Sequence, residues 1–131
     1  MPEPAVISSR SKAPIVAVID DDESVREALG NLLMSMGLEV EAFGTAEDFL
    51  ASPRCKSVAC LISDVQLPGM SGLELQRQIV EGGNAPPIIL ITAFARDHVR
   101  RQAEQQGAVA LLVKPFDGSR MVDCIHRALQ D

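Results

Sequence analysis

The sequence predicts an α/β fold: a (βα)5 chain forming a doubly wound, five-stranded parallel sheet in the order 2-1-3-4-5, with helices on both faces. Three observations carry this expectation. Four short runs, at residues 15–19, 58–62, 88–91 and 109–113, are nearly continuously apolar and rich in Val, Ile and Leu, as strands buried on both faces of a parallel sheet are. Segments of helical period separate them, and alternating strands and helices imply parallel pairing through right-handed crossovers. A fifth run, residues 38–43 (LEVEAF), alternates apolar with charged residues, so one of its faces meets water and its place is a sheet edge.

The elements follow in order. The first strand runs from Ile15 into Asp20-Asp21-Asp22. After it Val25, Ala28, Leu29, Leu32, Leu33 and Met36 recur at helical spacing, and Gly37 supplies a stop. Met34 and Met36, with Met121 later, are assigned to the core. The edge strand follows, with Glu39 and Glu41 turned to solvent. Thr45, with Asp48 three residues on, resembles a capping box and opens a short helix with Phe49 and Leu50 inward. The third strand, VACLIS, leads into Asp64, and Leu73, Leu75, Ile79 and Val80 then line a helix that ends at Gly82-Gly83. The fourth strand, PIILI, leads into Thr92. Between residues 96 and 106 only Val99 and Ala103 are clear inward positions, which makes this helix the most exposed and most mobile. The fifth strand, VALLV, precedes Lys114-Pro115, and a last helix over 119–130 buries Met121, Val122, Ile125 and Leu129.

Bulk properties bound the class. At 131 residues the chain amounts to one domain with room for a real core. A hydrophobic content of 47% with 23% charged residues is that of a globular protein rather than a disordered or membranous one. No apolar run approaches the ~18 residues of a membrane span. Residues 1–12 (MPEPAVISSRSK) lack the apolar centre of a secretory signal and read as a short flexible tail ahead of a folded unit over 13–131. A net charge of −6, with four Phe and no Trp or Tyr, argues against a nucleic-acid-binding surface. Cys55, Cys60 and Cys124 are odd in number and lack C-x-x-C spacing, as free thiols of a reducing cytoplasm would.

In a sheet of this order, functional residues gather at the carboxyl ends of the strands, beside the switch in strand order. Those ends carry Asp20, Asp21 and Asp22 on the first strand and Asp64 on the third. The fourth carries Thr92 with Ala93 after it, and the fifth carries Lys114-Pro115. Four carboxylates, a hydroxyl and an ammonium therefore converge on one rim. Each is ordinary at a strand end; the set is not. It suits phosphoryl transfer, because clustered carboxylates hold Mg2+ and a carboxylate can accept a phosphoryl group. A metal and a Lys neutralise the charge that moves, Thr92 is placed to hydrogen-bond a phosphoryl oxygen, and Ala93 leaves room for one.

The stretches VIDDDESVR, CLISDVQLPGMSGLEL, IILITA and LLVKPF resemble a response-regulator receiver domain of two-component signalling, with the chemotaxis-regulator-like fold, over residues 14–129. GTAEDFLA and DVQLPGMSGLELQ resemble its FixJ-type branch. The resemblance implies that Asp64 is the phospho-acceptor, served by a sensor histidine kinase, a phosphotransfer protein or a small phosphodonor. It implies Mg2+ (or Mn2+) held by Asp20, Asp21, Asp64 and the backbone carbonyl of Gln66, with Thr92 and Lys114 meeting the phosphoryl group and a cis Lys114-Pro115 bond. An Arg five residues after the second acid belongs to the family's pattern. Arg26 therefore registers Asp20 and Asp21 as the acidic pair and leaves Asp22 as a helix N-cap. It further implies a phosphorelay switch rather than a turnover enzyme, its only catalysis being self-phosphorylation and autodephosphorylation. That switch would be cytoplasmic, would itself bind neither nucleic acid nor membrane, and would form a homodimer on phosphorylation through the fourth helix, fifth strand and fifth helix.

The family usually has an aromatic residue three positions before the Lys; here Leu111 stands there. The outward signal is therefore expected to use the loop after Thr92 and the helix near 96–106. Phe94 and Gln66 flank the pocket and should tune the access of water, while His98 and His126 are assigned no catalysis. Two other readings stay open at this point. One is a small haloacid-dehalogenase-like phosphatase using Asp20-x-Asp22, Thr92 and Lys114, which gives Asp64 no role. The other is a non-phosphorylated docking scaffold. The chain stops where its last helix ends, which fits either a stand-alone receiver or one separated from an output domain.

Overall fold

Side chains alternate across a strand, so a continuous apolar run must bury both of its faces. The computed structural model describes residues 13–130, and the tail expected over 1–12 lies outside them. Its strands are β1 (Ile15–Ile19), β2 (Glu39–Phe43), β3 (Cys60–Asp64), β4 (Ile88–Thr92) and β5 (Ala110–Val113). Between and after them lie α1 (Glu23–Ser35), α2 (Ala46–Ala51), α3 (Gly72–Gly82), α4 (Asp97–Gln105) and α5 (Gly118–Leu129). All strand pairs are parallel and the order is β2-β1-β3-β4-β5. Expected architecture and strand order hold.

The central strands feed two cores by turns. Val16, Val18, Cys60, Ile62, Ile89 and Ile91 face α1 and α5, meeting Leu29, Leu33, Met121 and Ile125. Ala17, Ile19, Leu61, Ile88 and Leu90 face the other way, against Phe49, Leu75, Val99 and Ala103. Each fully buried Leu or Ile stabilises the fold by about 1.5–3 kcal/mol. Strand β2 lies on the edge as its alternation foretold, and Arg54 Nη1 bridges Glu39 (2.7 Å) and Glu41 (3.0 Å) on its wet side. Phe43 at its end meets Phe49 edge to face, with ring centroids 5.6 Å apart.

Several boundaries and inward assignments differ from expectation. Strand β3 starts at Cys60 rather than residue 58 and runs through Ser63 and Asp64, because the ladder pairs Ile19 with Ser63 and Asp64 with Ile91. The acid therefore sits within the last rung. Met34 is 58% exposed and Val80 41%, so neither is core. Residues two apart on a helix are some 200° apart, and Met36 already faces inward, which leaves Met34 outside. Only half of the box expected at α2 forms: Thr45 Oγ1 accepts from Asp48 N–H. The complete box opens α3, where Ser71 accepts from Glu74 N–H and Glu74 returns an oxygen to Ser71 N–H.

Candidate functional site

The register places the ends of β1, β3, β4 and β5 side by side. Asp20 is completely buried and is held at nearly every polar atom. Its N–H donates to Phe43 O (3.1 Å), and its Oδ1 accepts from Asp22 N–H (2.9 Å). Its carbonyl accepts from Arg26 Nη1 at 2.7 Å. Asp21 is exposed, and Asp64 is 5% exposed with Oδ1 accepting from Gln66 N–H at 2.8 Å. Lys114 Nζ, delivered by β5, lies 2.7 Å from Asp64 Oδ2 and 2.8 Å from Asp20 Oδ2. The strand end that carries it is fixed by Lys114 N–H donating to Thr92 O (2.8 Å).

The electrostatics follow from burying acids beside one cation. Burial pushes the Asp64 carboxyl above its usual range. Lys114 and the Gln66 N–H pull it back, and the charge of Asp20 pushes it up again. For Lys114, burial opposes the ammonium, but the two carboxylates outweigh it and hold its pKa above the ordinary lysine value. Carboxylate oxygens of Asp20, Asp21 and Asp64 all lie within 4.8 Å of one another. Asp20 Oδ2 meets Lys114 only as a close ionic neighbour, its angle leaving that buried oxygen without a hydrogen bond. Three hard oxygen donors, one with an unassigned buried lone pair, fit a divalent cation of the Mg2+ type. Among the described residues this is the one acidic cluster of that kind.

Two helices outside the rim hold its loops. From α2, Glu47 Oε2 accepts from Met70 N–H at 2.9 Å, clamping the turn after β3. That turn carries Gly69 at φ +75°, where a side chain would also strike the Glu47 carboxylate. At the start of α3, Gly72 N–H donates to Val65 O, and a Cβ at Gly72 would overlap the Asp64 carbonyl oxygen. Only glycine lets α3 abut the acid-bearing strand end.

The other expected residues play different parts. Thr92 is fully buried, but its hydroxyl is engaged with the Phe94 main chain, accepting from N–H and donating to the carbonyl, each at 3.2 Å. It shapes the β4–α4 turn rather than touching the Lys114–Asp64 pair. Gln66 and Phe94 (59% exposed) line a cleft of ≈ 410 Å3 with Thr92 and His98. Ala93 is exposed, and Leu111 and Pro115 line a separate notch with Arg100 and Arg120. The Lys114-Pro115 bond is cis. Asp22 is spent on α1: its Oδ1 accepts from Ser24 N–H (2.9 Å) and Ser24 Oγ (2.7 Å), which hold its carboxyl below the usual range. The pairing of Asp20 with Asp22 that a dehalogenase-type phosphatase needs is therefore absent. Arg26 and Glu47 went unread as site residues because each serves a main-chain atom, which has no sequence signature; the nearness of Arg26 to the acids was the available cue.

The sequence model of the response regulator receiver domain matches residues 16–126, so the chain belongs to the receiver-domain family of two-component response regulators, which are phosphorylated on aspartate. Response regulator protein TodT of Pseudomonas putida is 40% identical over 119 residues, 91% of this chain and 52% of TodT. Nodulation protein W of Bradyrhizobium diazoefficiens is 40% identical over 120 residues, 92% of this chain and 53% of that protein. The chain thus spans about half the length of these curated relatives. Among solved structures, response regulator StyR is 44% identical with a TM-score of 0.82, covering 90% of this chain and 60% of that one. A BeF3-activated DrrB receiver domain is 28% identical with a TM-score of 0.83, covering 91% and 99%. Family membership and the N-cap role of Asp22 together set the phosphatase reading aside. No described helix is long and apolar enough to cross a membrane.

Proposed function

We propose that residues 13–131 form one cytoplasmic receiver unit whose Asp64 accepts a phosphoryl group from a sensor histidine kinase or phosphotransfer protein. The observation that carries this reading is Lys114 Nζ at 2.7 Å from Asp64 and 2.8 Å from Asp20, with Asp21 beside them. An Asp64 oxygen attacks the phosphorus of a phosphohistidine: an O–P bond forms as the N–P bond breaks, and the electron pair stays on the imidazole nitrogen. Asp20, Asp21, Asp64 and the Gln66 carbonyl would hold Mg2+ or Mn2+, which when bound supplies positive charge against the phosphoryl oxygens. Lys114 then follows the negative charge from the Asp64 carboxylate out to the phosphoryl group.

Readout begins at Thr92. Its hydroxyl leaves the Phe94 main chain to meet a phosphoryl oxygen, which loosens the β4–α4 turn and reshapes the α4-β5-α5 face. That face then binds partners or a second copy. Gln66 and Phe94 govern the access of water to the acyl phosphate, so the domain's only catalysis is on its own side chain. It is a switch rather than a turnover enzyme, and its acidic surface leaves nucleic acid and membrane to other parts of the system.

Asp64→Asn with acetyl phosphate and Mg2+, read by intact-protein mass, tests the assignment. Wild type and Asp22→Asn should each gain one phosphoryl group, and Asp64→Asn none. Labelling retained by Asp64→Asn would sink it, and an unlabelled wild type would favour the docking scaffold.

A further inference from the structure

Asp21 is the exposed member of the acidic trio, and nothing among its own side-chain contacts fixes where it points. Its orientation is inherited from the peptide plane that joins it to Asp20. That plane has two polar ends: the Asp20 carbonyl and the Asp21 N–H. Arg26 Nη1, reaching back from the first turns of α1, donates to the Asp20 carbonyl at 2.7 Å. The Asp20 N–H on the preceding plane is already tied to Phe43 O at 3.1 Å, and Oδ1 to Asp22 N–H at 2.9 Å. Arg26 therefore supplies the remaining constraint on the turn between the strand and α1.

We infer that Arg26 is a positioning residue for the divalent-cation site, acting by locking the Asp20–Asp21 peptide so that both carboxylates converge. In the contacts observed it reaches no carboxylate oxygen of the acids, and it contributes through the main chain. Without it, a carbonyl of the fully buried Asp20 loses its partner, and the plane is free to rotate toward water and carry Asp21 off the rim. Outer partners that orient ligands are worth about 10–100-fold in metal affinity. The inference rests on the proposed metal site, so its test separates the two.

Mg2+ titration by calorimetry on wild type, Arg26→Met, Arg26→Lys and Gln76→Leu provides the first arm. Met keeps the aliphatic stem and removes the donors, Lys restores one donor, and Gln76→Leu lowers stability between α3 and α4, across the sheet from α1. Arg26→Met should weaken Mg2+ by about tenfold or more, with Arg26→Lys recovering part and Gln76→Leu unchanged. Affinity equal to wild type in Arg26→Met, or a loss matched by Gln76→Leu, would overturn the inference. The second arm needs no metal: in cation-free protein the Asp22 amide should exchange hydrogen about tenfold faster in Arg26→Met than in wild type or Gln76→Leu. Unchanged exchange there overturns the inference even if wild type binds no Mg2+, whereas faster exchange with no wild-type binding upholds the locked turn and overturns the metal site alone.

Discussion

Cys60, buried in β3, has its thiol pushed up to about 12 by loss of hydration, and this couples folding to alkaline pH. In the unfolded chain the thiol ionises near 9.0, while the folded chain keeps its proton to higher pH. Over that window the unfolded state has released a proton that the folded state retains. Stability therefore falls as pH rises, at most by about 1.4 kcal/mol per pH unit. Lys114 adds no loss in the lower part of this range. Its raised pKa gives stability that is complete below 10.5 and is lost as pH rises from there through its folded value. Denaturant titrations in reducing buffer, from neutral pH to about pH 11, should show the decline, and Cys60→Ala should flatten it. Individual residues were unequally legible in the sequence. Asp64, Lys114 and the N-cap role of Asp22 could be read because their chemistry lies in their own side chains and positions. Arg26 and Glu47 act on carbonyl and amide groups of other residues, and only the folded chain reveals which.

At the scale of elements, α4 shows both what periodicity reveals and what it hides. Val99 and Ala103 are its buried residues, as their spacing foretold, and its N-cap Arg96 makes no side-chain hydrogen bond. Its other end is fastened by amides. Gln76 of α3, 1% exposed, donates from Nε2 to Ala103 O at 3.1 Å. Gln106 Nε2 reaches Gln76 Oε1 (2.6 Å) and Leu73 O (3.2 Å). So the helix expected to be loosest throughout is bolted at its C-terminal end and open at the end beside Thr92 and Phe94. Gln76→Leu strips partners from Ala103 O and Gln106, at a cost of about 1–3 kcal/mol. In a denaturation cycle, Gln76→Leu with Gln106→Leu should be less destabilising than the sum of the single changes; strict additivity would show the amides to be independent. Glutamines read as surface residues in a sequence, and their burial depends on partners some 30 positions away.

For the whole molecule, strand order was the most legible property. The alternation in LEVEAF marked the edge, and the four apolar runs marked the strands beyond it. Assembly was legible only through the family resemblance, because an exposed apolar residue at a strand end looks like any other surface residue. Val113 is 42% exposed on β5, beside the notch of Arg100, Leu111, Phe116 and Arg120. Dimerisation through this α4-β5-α5 face should appear as faster sedimentation when beryllofluoride mimics the phosphoryl group, and Val113→Asp should suppress it. A wild type that sediments unchanged would count against it. The placement of Lys114 has a further consequence for the order of synthesis. Asp20 and Asp64 leave the ribosome long before the lysine between them, and β5, an edge strand, pairs only with β4. A nascent chain thus holds its acids without their cation, and the ion pairs that join β1 to β3 close only after nearly the entire domain has been translated.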